Sequence, residues 1–245
     1  MKTSPPPGRG RGRPRTAVID RERIVDAALA QLRADGLEGL TMRSLADRLG
    51  VAVSALYNHV PSRAAVLAAV QERFVTGLDV SGFGSVPLRQ ALARWAWSYL
   101  GRLREQPELV PVIVAVPVAQ APRTSAMYQR VVGGFSAAGW PPESIIASMS
   151  ILETFIFGAA LDTPGPDDVY APHDPAQSPL LARTYEAFAD AVGDSRARPH
   201  DVVFAIGLDA TLTGLHQLWA SGRGWDAVVV PSRPAAAPAS PIGSA

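Results

Sequence analysis

An all-α fold is predicted: an N-terminal three-helix helix-turn-helix domain, joined through a fourth helix to a helical C-terminal domain. Three observations predict it. Apolar residues recur at helical spacing along most of the 245-residue chain. No stretch sustains the period-two alternation of a half-buried strand. A Gly/Ser/Pro break, Ser81 to Pro87, separates a region of short helices from one of long helices.

Residues 1–19 read as a flexible basic arm, with five basic groups, no acidic ones and mostly Pro and Gly between them over residues 1–15. Such a composition cannot bury a core. Residues 20–80 form the next domain. Val25, Ala28, Leu29 and Leu32 fall at i, i+3, i+4 and i+7 and make one stripe on a first helix that stops at Gly36. Thr41 reads as the N-cap of a second helix, Met42 to Leu49, closed by Gly50. A third runs from about Val53 to His59, and a fourth is opened by Pro61 at its first turn, with the stripe Leu67, Val70, Gln71, Phe74, Leu78. Over residues 81–221 helices are expected at about 87–105, 108–119, 123–138, 142–161 and 178–221, the last split near Gly193 to Pro199. Between Asp162 and Pro179 a surface loop is expected, and residues 222–245 are a Pro/Ala/Ser tail.

Composition narrows the function. A hydrophobic share of 47% suffices for a real core and excludes disorder of the whole chain. With no Cys there is no disulfide framework, no thiol nucleophile and no Cys-ligated metal. Four scattered His (His59, His173, His200, His216) and the lack of G-x-S-x-G, P-loop or His-x3-His patterns predict neither enzyme, cofactor nor metal site. The apolar stretches Val110 to Ala119 and Ile145 to Leu161 are interrupted by Pro111, Pro117 and Glu153, so no membrane span is expected. The Met1 end does not read as a secretory signal, and a cytoplasmic protein is expected. The net charge of +1 conceals an asymmetry, +4 over residues 1–80 against −3 over residues 81–245. Such asymmetry marks a nucleic-acid-binding end, although 22 Arg against the single Lys2 also reflects a bias in composition.

Residues 42–60, MRSLADRLGVAVSALYNHV, carry the sharpest pattern. Two helices crossing at about 90–120° need a small residue where they touch and a glycine at the turn, and Ala46 lies four residues before Gly50. Apolar Val51, Leu56 and Val60 follow, as in a DNA-reading helix pair, although any helical hairpin shares the spacing.

The run GLEGLTMRSLADRLGVAVSALYNHVPSRAAVLAAV resembles, nearly position for position, the N-terminal domain of the TetR family of transcriptional repressors, and its LYNHVPSRAAVLAAV part is closest to the tetracycline repressor subgroup. The resemblance covers about Asp20 to Phe74. It implies a homodimer on a double-stranded, pseudo-palindromic DNA operator, released by a small effector. Arg43 matches the family's base-contacting basic residue, suited to bidentate bonding of guanine. Thr41, Tyr57 and Arg63 match phosphate-contacting positions, and Ser54, Ala55, Asn58 and His59 are the outward recognition-helix positions. Other roles stay open: Tyr57 half-buried between helices, His59 capping the fourth helix, Arg63 merely exposed. The run Ala52, Val53, Ser54, Ala55 departs from the tetracycline repressor, so the tetracycline operator is not implied. Arg11, Arg13 and Arg15, in the Arg-Gly-Arg-Pro-Arg core of the arm, look like an AT-hook entering a narrow minor groove, or else a solvated basic tail.

The C-terminal domain is expected to sense the effector. Trp95, Tyr99, Met127, Phe135 and Phe155 supply material for an apolar cavity, or for ordinary core, and imply a hydrophobic or aromatic ligand. Glu153, among Ile151, Leu152, Phe155 and Ile156, is the candidate polar anchor, unless it lies on an exposed face. Where the tetracycline repressor holds magnesium and drug through histidines, this chain has Gly77, Leu78 and Val116 to Val118, so a metal–tetracycline effector is not implied. By the family's pattern the dimer forms through about Ser144 to Leu161 and Asp201 to Ala220. In the second of these Gly207, Ala210, Thr211, Gly214 and Leu218 form a stripe of mostly small residues, fit for close helix approach or for internal packing. An activator, or a ligand-independent nucleoid-type binder, would use the same DNA contacts.

Overall fold

The computed structural model describes residues 19–162, 168–193 and 197–220. These form helices and short 3-10 turns, with no strand among them. The arm with Arg11, Arg13 and Arg15, and the tail beyond residue 220, lie outside the described residues. Contacts divide the chain into two compact units. Of the described residues, the first takes 19–78 and 105–127, and the second takes 79–104 and the residues from Tyr128 onward. Where the composition places a boundary at residue 81, the chain leaves the first unit after Leu78, and it returns to it for residues 105–127.

The first unit begins with α1 (Arg21–Gly39), whose N-cap Asp20 accepts a hydrogen bond from Arg23 N at 2.8 Å. Its buried face is Ile24, Val25, Ala28, Gln31 and Leu32, while Leu29 is only half-buried. The regular helix breaks at Gly36, as expected, within the span of α1. Gly36 takes φ 67°, a left-handed conformation that favours glycine, and one more turn follows to Gly39. Next come α2 (Met42–Leu49), α3 (Val53–Tyr57) and α4 (Arg63–Val75). α3 is shorter than expected, and α4 is opened by Ser62, whose Oγ accepts from Ala65 N at 3.1 Å, so Pro61 precedes the cap. The predicted stripe of α4 holds: Leu67, Val70, Gln71 and Phe74 are all buried, as is Leu78 just beyond it.

The helix expected at 108–119 is broken into a 3-10 turn (Pro107–Leu109), α6 (Val110–Ala115) and a second 3-10 turn (Val118–Gln120). Pro117 is the reason: it pushes Val116 out of the helical region, to φ −92° and ψ 114°. The first turn packs on α1 and α6 packs on α4.

The second unit contains α5 (Leu88–Glu105) up to Arg104, α7 (Pro122–Ala137) from Tyr128, α8 (Pro142–Asp162), α9 (Pro179–Gly193) and α10 (Pro199–Ala220). The expected split of the last predicted helix is present. α8 packs on α10, where a Cβ on Gly207 would fall 2.7 Å from the Phe155 ring. Gly207 thus permits close packing within the chain, whereas Ala210 and Gly214 of the same stripe are exposed.

Glu72 on α4 is a buried charged residue of the first unit. Its Oε2 accepts from Arg21 Nη2 at 3.1 Å, and its Oε1 accepts from the backbone N–H of Arg123, second residue of α7, at 3.2 Å. A carboxylate there satisfies a helix-start donor and complements the dipole. The Arg21 side is solvent-facing and adds little. Glu72→Ala should lower stability by about 1–2 kcal/mol, with Glu72→Gln losing less, read from urea unfolding midpoints.

Candidate nucleic-acid interface and effector region

The helix-turn-helix is built locally. Thr41 Oγ1 accepts from Ser44 N at 3.0 Å while Ser44 Oγ accepts from Thr41 N at 3.0 Å, a reciprocal capping box that starts α2. The turn closes through Gly50, at φ 68° and ψ 37°: Gly50 N bonds Asp47 O at 3.1 Å and Val51 N bonds Ala46 O at 3.0 Å. This paired closure needs a left-handed residue and explains the glycine. Ala46 is fully buried, as the crossing of short helices requires, and Leu56 and Val60 seat α3.

That anchoring leaves one side of the pair to solvent. Arg43, in the first turn of α2, is exposed and has no hydrogen-bond or ion partner among the described residues. Thr41 is exposed while it caps. On α3 Ser54 is exposed, Ala55 is half-buried, and Tyr57 stands 49% exposed, so it is not packed between helices. Asn58 and His59 are exposed just after α3, and His59 does not cap α4, because Ser62 does. The cluster offers a guanidinium, hydroxyls, an amide and an imidazole, which are donors suited to base edges and phosphates.

In the second unit the expected ligand residues separate. Trp95, Tyr99 and Phe135 are fully buried. Phe135 meets Trp140 edge-on at 5.0 Å, apart from the other pairs. Phe155 stacks on Phe204 at 5.2 Å and lines a groove of about 700 Å³, with Tyr170, Phe188, His200 and Val203. Met127 is buried and falls in the first unit. Glu153 is not on an exposed face. Its Oε1 accepts from Tyr128 Oη and, at 3.4 Å, from Tyr99 Oη. Burial pushes its carboxyl above the ordinary carboxylate range, against the two hydrogen bonds that pull it down. Burial and then the charge of Glu153 push both tyrosines up. No group of three or more His, Asp or Glu suited to a metal ion occurs among the described residues.

Comparison with known proteins meets this geometry. Residues 24–70 match the model of bacterial regulatory proteins, tetR family. Over 227 residues the chain is 27% identical to the HTH-type transcriptional repressor DrrR1 of Streptomyces coeruleorubidus, covering 87% of this chain and 83% of that protein. Over 54 residues it is 44% identical to the class D tetracycline repressor protein of Escherichia coli, 22% of this chain and 25% of that protein. A possible TetR family transcriptional regulator from Streptomyces coelicolor A3(2) shares 26% identity at a TM-score of 0.57, covering 81% of this chain and 100% of that one. Streptomyces coelicolor ActR in complex with actinorhodin has the same fold, at a TM-score of 0.65 and 21% identity over 84% of this chain and 99% of that one.

Residues 24–70 form a domain of the TetR family.

One of the residues expected to contact DNA serves the fold. Arg63 Nε donates to Leu40 O at 2.6 Å and Nη2 donates to Leu37 O at 2.5 Å, so its guanidinium clasps the end of α1 and is not merely an exposed cation. Spacing could not show this, because both acceptors are backbone carbonyls more than 20 residues away. Tyr128 and Phe204 were also beyond sequence reasoning, since each acts through a partner on another helix. Arg63→Lys keeps the charge but loses the forked pair of donors. It should lower stability by about 1–2 kcal/mol, read as a reduced midpoint in thermal melts.

Proposed function

We propose that the protein is a ligand-responsive TetR-family repressor that binds a pseudo-palindromic operator as a homodimer and is released by a small hydrophobic or aromatic effector. The observation that carries the reading is the capped helix, glycine turn and helix, with Arg43, Ser54, Tyr57, Asn58 and His59 left to solvent. Likeness to the repressor DrrR1 over most of both chains supports the sign of regulation. The fold shared with ActR bound to actinorhodin supports an effector. DNA as the target fits a cytoplasmic location.

Two helix faces support the dimer. Ile146, Ser150, Thr154, Gly158 and Leu161 lie outward along α8, with Ile146 64% exposed. On α10, Val203, Ile206, Ala210 and Gly214 do the same, with Ile206 63% exposed. A stripe of apolar and small residues three to four apart on each of two adjacent helices suits a four-helix interface between copies. Two-fold symmetry would then set the recognition helices about 34–36 Å apart, one turn of DNA. Effector binding acts by changing that separation, with a coupling of about 1–3 kcal/mol.

Selection of bound fragments from genomic DNA with purified protein should return an inverted repeat, and the same operator should be released by hydrophobic small molecules. Arg43→Ala should erase preference at one base pair of each half-site, worth about 1–3 kcal/mol. An unchanged selected motif would remove Arg43 from base reading. A double Val203→Glu, Ile206→Glu variant should sediment as a monomer at micromolar concentration where the parent is a dimer. Removing residues 1–15 should weaken operator binding and flatten its salt dependence, because five positive charges go with them.

A further inference from the structure

Glu153, half-buried, is set apart by its surroundings from the buried Glu72 and the half-buried Asp201. Its Oε1 takes hydrogen bonds from Tyr128 on α7 and from Tyr99 on α5, while its Oε2 has no partner among the described residues. Around the pair lie aromatic rings: Trp95 meets Tyr99 edge-on at 5.5 Å and Phe157 meets it edge-on at 5.7 Å. No Arg, Lys or His forms an ion pair with Glu153 among the described residues. By contrast, Glu72 has Arg21 and Asp201 has Arg104. One turn before Tyr99 on α5, the buried indole N–H of Trp95 has no acceptor among the described residues.

A carboxylate among aromatic rings without a counter-ion is costly to the empty protein, and two tyrosine hydroxyls compensate only part of that cost. Given the effector control proposed above, on which this assignment rests, we propose that Glu153 is the anchor for a cationic aromatic effector, its protonated amine pairing with the free Oε2 and its ring system lying against the surrounding aromatic side chains. The positive charge supplies the counter-ion that the protein lacks, and the electron-rich ring faces add cation–π attraction. The two tyrosines hold the carboxylate by one oxygen and leave the other for the ligand. A neutral ligand of the same shape forgoes the ion pair, and an anionic one is repelled. The unpaired indole donor of Trp95 offers a place for an acceptor on the same ligand.

The test uses the full-length protein and three naphthalene probes that differ only in charge: 1-naphthylmethylamine, 1-naphthalenemethanol and 1-naphthoate. Calorimetric titration should show the amine binding about tenfold tighter than the alcohol, with the carboxylate weakest. Glu153→Gln and Glu153→Leu should each bring the amine down to the level of the alcohol while alcohol binding persists, which shows that the variants are still folded. Equal binding of amine and alcohol by the parent, an amine preference that survives both substitutions, or loss of all binding in both variants would overturn the proposal. Operator release, measured alongside, separates the levels. Release by neutral compounds without an amine preference overturns the cation assignment and leaves effector control standing. Failure of every compound, neutral or charged, to bind or to release DNA overturns both.

Discussion

The DNA-reading helix pair consists of segments too short to be helical by themselves, and this constraint shapes the first unit. α3 has five residues and α2 eight, whereas isolated helices below about 12–15 residues are marginal in water. Their geometry is therefore borrowed. α2 takes it from the capping box at Thr41 and from Gly50, and α3 takes it from Leu56 and Val60, which are buried in the core. The end of α1 is held by the Arg63 guanidinium, which ties Leu37 and Leu40 to the first residue of α4. α4 supplies the mass of the core: every residue from Val66 to Glu72 is buried, as are Phe74 and Val75. Because packing is done by these inward groups, the outward ones are released from structural duty, and that is what makes Arg43 and the exposed residues of α3 available to a ligand as large as DNA.

The second unit solves a different problem, how to make long apolar helices pack without a sheet. α8 is long and apolar enough by length and composition to cross a membrane. Its packing in this unit makes it a core helix, with Leu152, Ile156 and Ala160 turned inward and α10 against it. Aromatic side chains fill the space between helices in edge-on and stacked pairs, Trp97 on Phe204 and Phe155 on Phe204. Gly207 lets the Phe155 ring lie where a side chain would otherwise stand.

Much of the fold was legible because its signals are local. Thr41, Gly50 and the i, i+3, i+4 stripes each act within one or two turns, so α2 could be bounded to the residue and α5, α7 and α8 to within one. The breaks were harder. Pro117 showed in the sequence that something ended near it, but the rest of the 108–119 segment is apolar enough to pass for helix. Exposure was legible where outward residues follow a helix pair, as at Arg43, and contacts were obscured where a residue's partner is remote. Arg63 matches a phosphate-contacting position, but spacing could not show that its guanidinium also holds the carbonyls of Leu37 and Leu40. The aromatic residues were readable as a set, but how they divide into Trp95 with Tyr99, Phe135 with Trp140 and Phe155 with Phe204 depends on tertiary packing.

Glu153 is the place where local and global requirements conflict. A leucine there would continue the apolar run of α8 and would need no hydroxyls from other helices. Natural chains keep such conflicts where they serve something other than stability. The surroundings bear this out, since Tyr99 and Tyr128 both spend their hydroxyls on one oxygen of the carboxylate, an arrangement that an apolar residue would make pointless. A helix start or an ion pair elsewhere in the fold explains each comparable carboxylate: Glu72 receives Arg21 and the start of α7, and Asp201 receives Arg104 at 2.5 Å. Glu153 has neither. On the assignment proposed above, a cationic partner from outside the chain would supply the counter-ion that Glu153 does not receive from the described residues.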